Sequence, residues 1–478
     1  MGTNCIEIAS LPTQPLWHHW RINAPMRVAL YAEGKRYTWH ELCETVDCTS
    51  YQLYQQGVRA SDVVTMVGKN HPHMLWILLA AHQLGASCAL TMPQPSELLE
   101  RKLKTLYPDD KNGFLWLSPT LDKPLATEMM HGNRPLLHVS PEAMTPSYIP
   151  DVQYAAPQLA SLLFTSGSTG HPKAVAHNHL HHFASAMGLL QRLQYAPGDC
   201  WLLSLPLYHV SGLSIIYRWL TAGACLKIGQ GQLADDIEGV THASLVPFQL
   251  QQLFASKRSL SLSHVLLGGS HIPQSLGLRA AALGIDTWLG YGMTEAASTI
   301  TARRVQEGNG VGRVLPYREL RIQDQRIFLR GQTLASGYYH QGELTPLFDK
   351  SGWFDTQDLG DWQSTDDLVI VGRADNQFIS GGENIHCEEI EAVLNQHHAV
   401  QSAIVVPVAD KRYGARPVAI VKTTHDVTQV DWNVWCQGKL EKYKWPVAYY
   451  AMPGHLEAGA IKLPRRALRD WLLQCHVS

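Results

Sequence analysis

One segment constrains the architecture more than any other. Leu162-Leu163-Phe164, an apolar run of strand type, leads into Thr165-Ser166-Gly167-Ser168-Thr169-Gly170-His171-Pro172-Lys173, and a helical pattern begins near Leu180. Strand, Thr/Ser/Gly loop and helix in that order form the layout of an anion site. Glycine lets backbone N–H groups approach phosphate, and the hydroxyls and the lysine add donors. The loop is not of the Walker A type: Pro172 stands where glycine should precede the lysine, and Ala174 follows where a magnesium-binding hydroxyl is needed. A P-loop kinase or GTPase is thereby disfavoured. The bland alternative is a Ser/Gly linker, against which the preceding apolar strand and the closing Pro-Lys both argue.

The rest of the chain predicts an α/β class. Helical patterns such as Thr38 to Gln56 alternate with β-rich runs such as Val63 to Val67, and Met74 to Leu90 reads as a core helix broken by His82, Gln83 and Gly85. Further strand-and-turn units are expected at Trp201 to Leu205, Ala243 to Val246, Val265 to Leu267 and Thr287 to Leu289. Ligands of such sheets gather beyond the strand ends. With 478 residues the chain exceeds one hydrophobic core, and a polar junction near Arg373 divides it into 1–374 and 375–478. The second part carries a helix from Cys387 to Gln396, strands at Ser402 to Val408 and Pro417 to Lys422, and a terminal helix from Pro464, a small α+β unit.

A formal net charge of -2 implies no nucleic-acid partner. The nine cysteines form no C-x-x-C pair and read as buried small hydrophobes of a reducing compartment. No signal peptide or membrane span is expected, so the chain reads as cytoplasmic, with a homo-oligomer left open.

Two further segments carry chemistry. Gly290-Tyr291-Gly292-Met293-Thr294-Glu295 sets an aromatic beside two glycines, then a hydroxyl and a carboxylate, as adenine packing, α-phosphate contact and magnesium binding require. Trp353 to Asp358, followed by Gly372-Arg373-Ala374-Asp375, offers a carboxylate for vicinal ribose hydroxyls and an arginine nearby, or else a surface ion pair. The run His177-Asn178-His179-Leu180-His181-His182 suggests a metal site at first sight. It has no carboxylate or cysteine beside it, so a solvated helix start is expected.

In this order the segments resemble those of the adenylate-forming superfamily of acyl-CoA synthetases, luciferases and peptide-synthetase adenylation domains, over nearly the whole chain. The resemblance implies the adenylate-forming fold, with a large multi-sheet N-terminal domain and a small mobile C-terminal one. It implies ATP, Mg2+ and coenzyme A as co-substrates and cofactor. Thr165 to Lys173 would handle pyrophosphate, Glu295 would hold magnesium, and Asp358 and Arg373 would hold the ribose. Asp375 matches the hinge, and Gly381 and Gly382 match the loop lining the pantetheine tunnel. Gly459-Ala460-Ile461-Lys462 resembles the catalytic lysine segment, whose ammonium neutralises charge developing between carboxylate and α-phosphate. Gln357 departs from the pattern, standing where many relatives have glycine.

Within the superfamily, Trp201 to Gly212, Thr241 to Pro247, Val265 to Gly269 and Val406 to Asp410 resemble the o-succinylbenzoate:CoA ligases of menaquinone synthesis. Such an acid keeps a second carboxylate, so its pocket needs a cation or several donors. By the same resemblance Arg218, Ser244, Gly268 and Thr299 would line that pocket. Arg218 fits equally an exposed helix arginine, and His209 either guards the pocket or is a satisfied core histidine. A ligase for another aryl or medium-chain acid, or an enzyme loading a carrier protein, shares every nucleotide residue.

Overall fold

The computed structural model describes residues 13–108, 113–121, 135–140, 148, 150–166, 172–256, 258, 260–269, 272–308, 310–364, 367–457 and 465–476. Four sheets organise them. A nine-stranded sheet has the order Arg313–Val314, Ser298–Arg304, Asp286–Met293, His264–Leu267, His242–Leu245, Cys200–Leu202, Cys225–Ile228, Val28–Ala32 and Lys35–Thr38. Its six strands from Asp286–Met293 to Val28–Ala32 run parallel, and antiparallel strands flank them. A seven-stranded sheet contains Leu159–Ser166 between Pro172–Asn178 and Ser87–Thr91. Arg318–Gln323, Arg326–Gly331, Phe354–Ser364 and Asp367–Arg373 form a four-stranded antiparallel sheet. The last sheet is built wholly from residues between Gln377 and Ala451.

Local chemistry explains why the elements begin where they do. Thr38 caps the Trp39–Gln55 helix: its hydroxyl accepts from Glu41 N at 3.2 Å while the Glu41 carboxylate accepts from Thr38 N at 2.7 Å. The interior strands Val63–Val67 and Ser87–Thr91 are buried along their whole length, as parallel strands covered on both faces must be. The run from Met74 to Leu90 is therefore two elements, the buried helix Pro72–Gln83 and the strand Ser87–Thr91, divided at Gly85 with φ +75°. The main core gathers that helix, Trp17, Trp39 and the Val210–Ala222 helix, with Trp39 stacked on Trp219 at 5.0 Å.

The described chain beyond Ser166 departs from the strand–loop–helix expectation. A second strand, Pro172–Asn178, intervenes before the His179–Leu190 helix and pairs antiparallel with Leu159–Ser166, so Thr165 faces Lys173. Ala174, Val175 and Ala176 are buried, which makes the interposed segment a core strand. The histidine run is a helix start, but it is not solvated. His177, His179 and His182 are buried, and His182 stacks on Tyr217 at 4.4 Å. Cys475 is exposed and Cys48 half-buried, while the other described cysteines are buried and all are free. Among the described residues no helix is long and apolar enough to cross a membrane.

Candidate active site

Four neighbouring strands build one end of the site. Ser244 comes from His242–Leu245, Gly268 follows His264–Leu267, Gly290 lies in Asp286–Met293 and Thr299 in Ser298–Arg304. The two middle positions carry no side chain. Space is therefore left between the hydroxyls of Ser244 and Thr299. A Cβ on Gly290 would come within 3.1 Å of Thr299 Cγ2. A bulge between Tyr291 and Gly292 sets Gly292 opposite Thr299, and a Cβ on Gly292 would lie 1.9 Å from Ser298 O.

Arg218 spans this space. It is 2% exposed on the Val210–Ala222 helix, so the exposed-helix alternative fails. Its Nη1 donates to Ser244 Oγ at 3.3 Å, its Nη2 to Thr299 Oγ1 at 3.4 Å, and its guanidinium lies 5.3 Å from the Trp201 ring. Burial lowers its pKa to about 9, with no carboxylate to offset the desolvation. His209 is half-buried at the N-cap of the same helix, its ring 4.8 Å from that of Tyr208.

The Gly290 to Glu295 segment is not a free loop. It ends a strand and enters a 3-10 turn, Thr294–Ala296, followed by Ala297 at φ +51° and Ser298 at φ +95°. The Thr294 carbonyl accepts from the His177 ring at 2.7 Å, which ties the turn to the strand bearing Lys173. Tyr338 lies between the two: its hydroxyl donates to Glu295 Oε1 at 3.3 Å, and its ring lies 4.9 Å from Lys173 Nζ. Burial, then the Glu295 carboxylate, raise the tyrosine's pKa. The sequence did not single out Tyr338. Its position in Gly337–His340, paired with Pro172–Asn178, is what brings it there.

Asp358, Arg373 and Asp375 come together as expected, and Asp358 is buried. Its Oδ2 accepts from the Tyr291 hydroxyl at 2.5 Å and its Oδ1 from Arg373 Nη1 at 3.1 Å. Arg373 turns its other edge to Asp375, donating from Nε at 2.8 Å and Nη2 at 3.0 Å. Burial opposes the Arg373 charge, yet the two carboxylates outweigh it and its pKa rises. Gln357 holds φ +62°, the left-handed conformation that explains why glycine suits this position.

Gly381 and Gly382 stand apart from this cluster in the chain's last sheet. With φ of +61° and +93° they make the two-residue turn joining Gln377–Ser380 to Glu383–His386, and Gly381 N donates to Tyr413 O at 2.9 Å. Gly167, Ser168, Thr169, Gly170 and Lys462 lie outside the described residues, whereas Thr165 and Ser166 end their strand. No group of three or more His, Cys, Asp or Glu suited to a metal occurs among the described residues, the histidine run included.

A strand-end site of this kind, with a Thr-Glu turn and a buried aspartate, is that of a nucleotide-dependent activating enzyme. The AMP-binding enzyme family model matches residues 17–339 and the AMP-binding enzyme C-terminal domain matches 389–457, and the chain belongs to this family. Among its relatives is the 2-succinylbenzoate–CoA ligase of Salmonella typhimurium, 41% identical over 96% of this chain and 98% of that protein. The enzyme of the same name from Escherichia coli is 39% identical over 95% of this chain and 98% of its own. An Arg-to-Lys variant of E. coli MenE with bound OSB-AMS superposes with a TM-score of 0.87, at 37% identity over 97% of this chain and 99% of that one. MenE from Bacillus subtilis in complex with the acyl-adenylate intermediate OSB-AMP gives 0.83, at 26% identity over 96% and 99%.

Proposed function

We propose that the chain is an ATP-dependent acid–thiol ligase that joins o-succinylbenzoate to coenzyme A through an acyl-adenylate, a step of menaquinone synthesis. The observation that carries the substrate is Arg218: a buried guanidinium whose hydrogen-bond acceptors among the described residues are the hydroxyls of Ser244 and Thr299 is matched by an acid whose second carboxylate supplies the missing negative charge. Relatives bearing the same name across nearly the full chain support it.

A carboxylate is a poor electrophile because its leaving group would be oxide. In the first step an oxygen of the succinyl carboxylate attacks the α-phosphorus and pyrophosphate departs with the electron pair. In the second the CoA thiolate attacks the acyl carbon and AMP departs. Thr165, Ser166, Gly167, Ser168, Thr169, Gly170 and Lys173 hold the pyrophosphate, and Tyr291 and Gly292 flank the adenine and α-phosphate. Asp358 takes the ribose hydroxyls, since a carboxylate bonded to Tyr291 and Arg373 keeps acceptor capacity. Glu295 is a hard oxygen donor suited to magnesium, which keeps phosphate and water oxygens as most of its ligands and, when bound, neutralises phosphate charge. Lys462 closes the first step. The 375–478 part then turns about Asp375, and Gly381 and Gly382 admit the thiol.

Pyrophosphate release, measured with ATP and magnesium over o-succinylbenzoate, benzoate, octanoate and amino acids, with and without CoA, tests this. Selectivity for o-succinylbenzoate with its CoA thioester as product is expected. Preference for another acid would overturn the substrate and keep the chemistry, and transfer to a carrier protein in preference to CoA would overturn the acceptor. Lys462→Ala should abolish thioester formation from ATP while leaving formation from supplied acyl-adenylate. Equal loss in both would end this division of labour.

A further inference from the structure

A second buried arginine reaches Thr299 from another sheet. Arg318 opens the Arg318–Gln323 strand and is 8% exposed. Its Nη1 donates to the Thr299 carbonyl and its Nε to Pro316 O at 3.1 Å. Thr299 is thus gripped twice, through its carbonyl by Arg318 and through its hydroxyl by Arg218. Burial lowers the pKa of Arg318, and the neighbouring Arg218 charge lowers it further.

Two like charges buried together cost free energy unless an anion joins them. Among the described residues no carboxylate forms an ion pair with either guanidinium. Among the described residues, Arg218 Nε and Arg318 Nη2 are buried N–H groups that meet no acceptor. All the acceptors these two arginines do have are neutral, a hydroxyl or a backbone carbonyl in every case.

The fold also makes room for this arrangement. Gly188 lies inside the His179–Leu190 helix, where glycine is less stable than alanine. A Cβ there would stand 2.8 Å from Pro316 O and 2.9 Å from Arg318 Nη2. Glycine at this position leaves the guanidinium its place against the helix.

We propose that Arg318 is a positioning and specificity residue of the acyl pocket: it holds Thr299 against Arg218 and supplies the second cation that makes the pocket require an acid with a non-reacting carboxylate. The inference rests on the pocket being the acid's site. Arg318 acts through Thr299 and through its charge. Loss of it should therefore weaken binding of the dianionic acid and leave the nucleotide chemistry intact.

Steady-state kinetics of Arg318→Met, Arg318→Lys and Gly188→Ala, with o-succinylbenzoate and with 4-oxo-4-phenylbutanoate, which lacks the ring carboxylate, test it. Arg318→Met should raise KM for o-succinylbenzoate by about 10- to 100-fold. The KM for ATP should stay unchanged and the activity on the monoanionic acid should fall by much less, so discrimination between the acids falls. Arg318→Lys should restore part of the discrimination. Gly188→Ala, which keeps the charge and displaces the guanidinium, should reproduce the loss in weaker form. Equal losses on both acids, or a fall in kcat with KM unchanged, would reduce Arg318 to a structural bridge and overturn the proposal. Should Arg318→Met fail to fold, Arg318→Lys and Gly188→Ala give the same reading. Wild-type enzyme that does not prefer o-succinylbenzoate to the monoanion would overturn the substrate itself, an outcome visible before any variant is made.

Discussion

Two arginine sites at the two ends of the proposed active site are built on opposite principles. Arg373 lies between Asp358 and Asp375, is half exposed and has its charge matched by two carboxylates. Arg218 is buried, and its protein partners are the hydroxyls of Ser244 and Thr299. The first has its charge matched within the chain, which suits the proposed hinge. The second has no carboxylate partner among the described residues, which suits the proposed binding of an anionic acid. A cation satisfied by carboxylates is a structural element, whereas one left with hydroxyls in a dry pocket is a binding element.

The sharpest way to break this contrast is Arg218→Met. Removing one partner of a buried charge pair costs about 2–5 kcal/mol, so kcat/KM for o-succinylbenzoate should fall about 30- to 5,000-fold. Because the free enzyme loses an uncompensated charge, its own melting temperature should not fall, while the stabilisation by bound acyl-adenylate analogue should disappear. A lowered melting temperature without loss of the ligand effect would make Arg218 a structural residue.

Buried histidines sharpen the comparison through pH. Burial holds His82 at about 4, opposed by its bond to Ala160 O. Burial, with His181 nearby, holds His177 at about 3. Both stay neutral in the fold but take up a proton near pH 6.5 when unfolded. Stability is therefore undiminished above pH 6.5 and is lost as pH falls from there toward 4, by about 1.4 kcal/mol per pH unit for each histidine. Urea unfolding at pH 7.5 and 5.5 should show a marked drop. A flat profile would mean that these rings are protonated in the fold.

At the other end, Asp358→Asn should raise KM for ATP about tenfold, about 1.4 kcal/mol, and leave KM for the acid unchanged. A change in acid KM would show that the two ends are coupled. The smallest effect is expected at Gln357→Gly, which relieves the left-handed residue beside Asp358 and should stabilise by about 0.5–1 kcal/mol in denaturant titration. Destabilisation would give the glutamine side chain a role of its own.

Much of this was legible in the chain. The Thr294–Glu295 turn and the Asp358–Arg373 pair come from short segments with local chemistry, and the runs at Val63, Ala243 and Val265 are strands as read. Less legible were elements whose nature depends on what covers them. Pro172–Asn178 looks like part of a loop until Leu159–Ser166 and Gly337–His340 pair with its two edges. The histidine run looks solvated until the Val210–Ala222 helix packs on it. Tertiary context overrides local propensity in both.

What the sequence by itself determined is the reaction, because handling phosphate, ribose and a developing charge takes side chains in fixed short spacings. What only the tertiary structure decided is the acyl pocket's electrostatics. Arg318 looks no different from Arg313 or Arg321 along the chain, and Tyr338 no different from Tyr339. Strand order puts Arg318 beside Thr299 and Arg218, and Tyr338 against Glu295 across 43 residues. Long-range pairing sets which charges share a desolvated space, and desolvation, not residue type, turns an arginine from a surface charge into a demand for an anion.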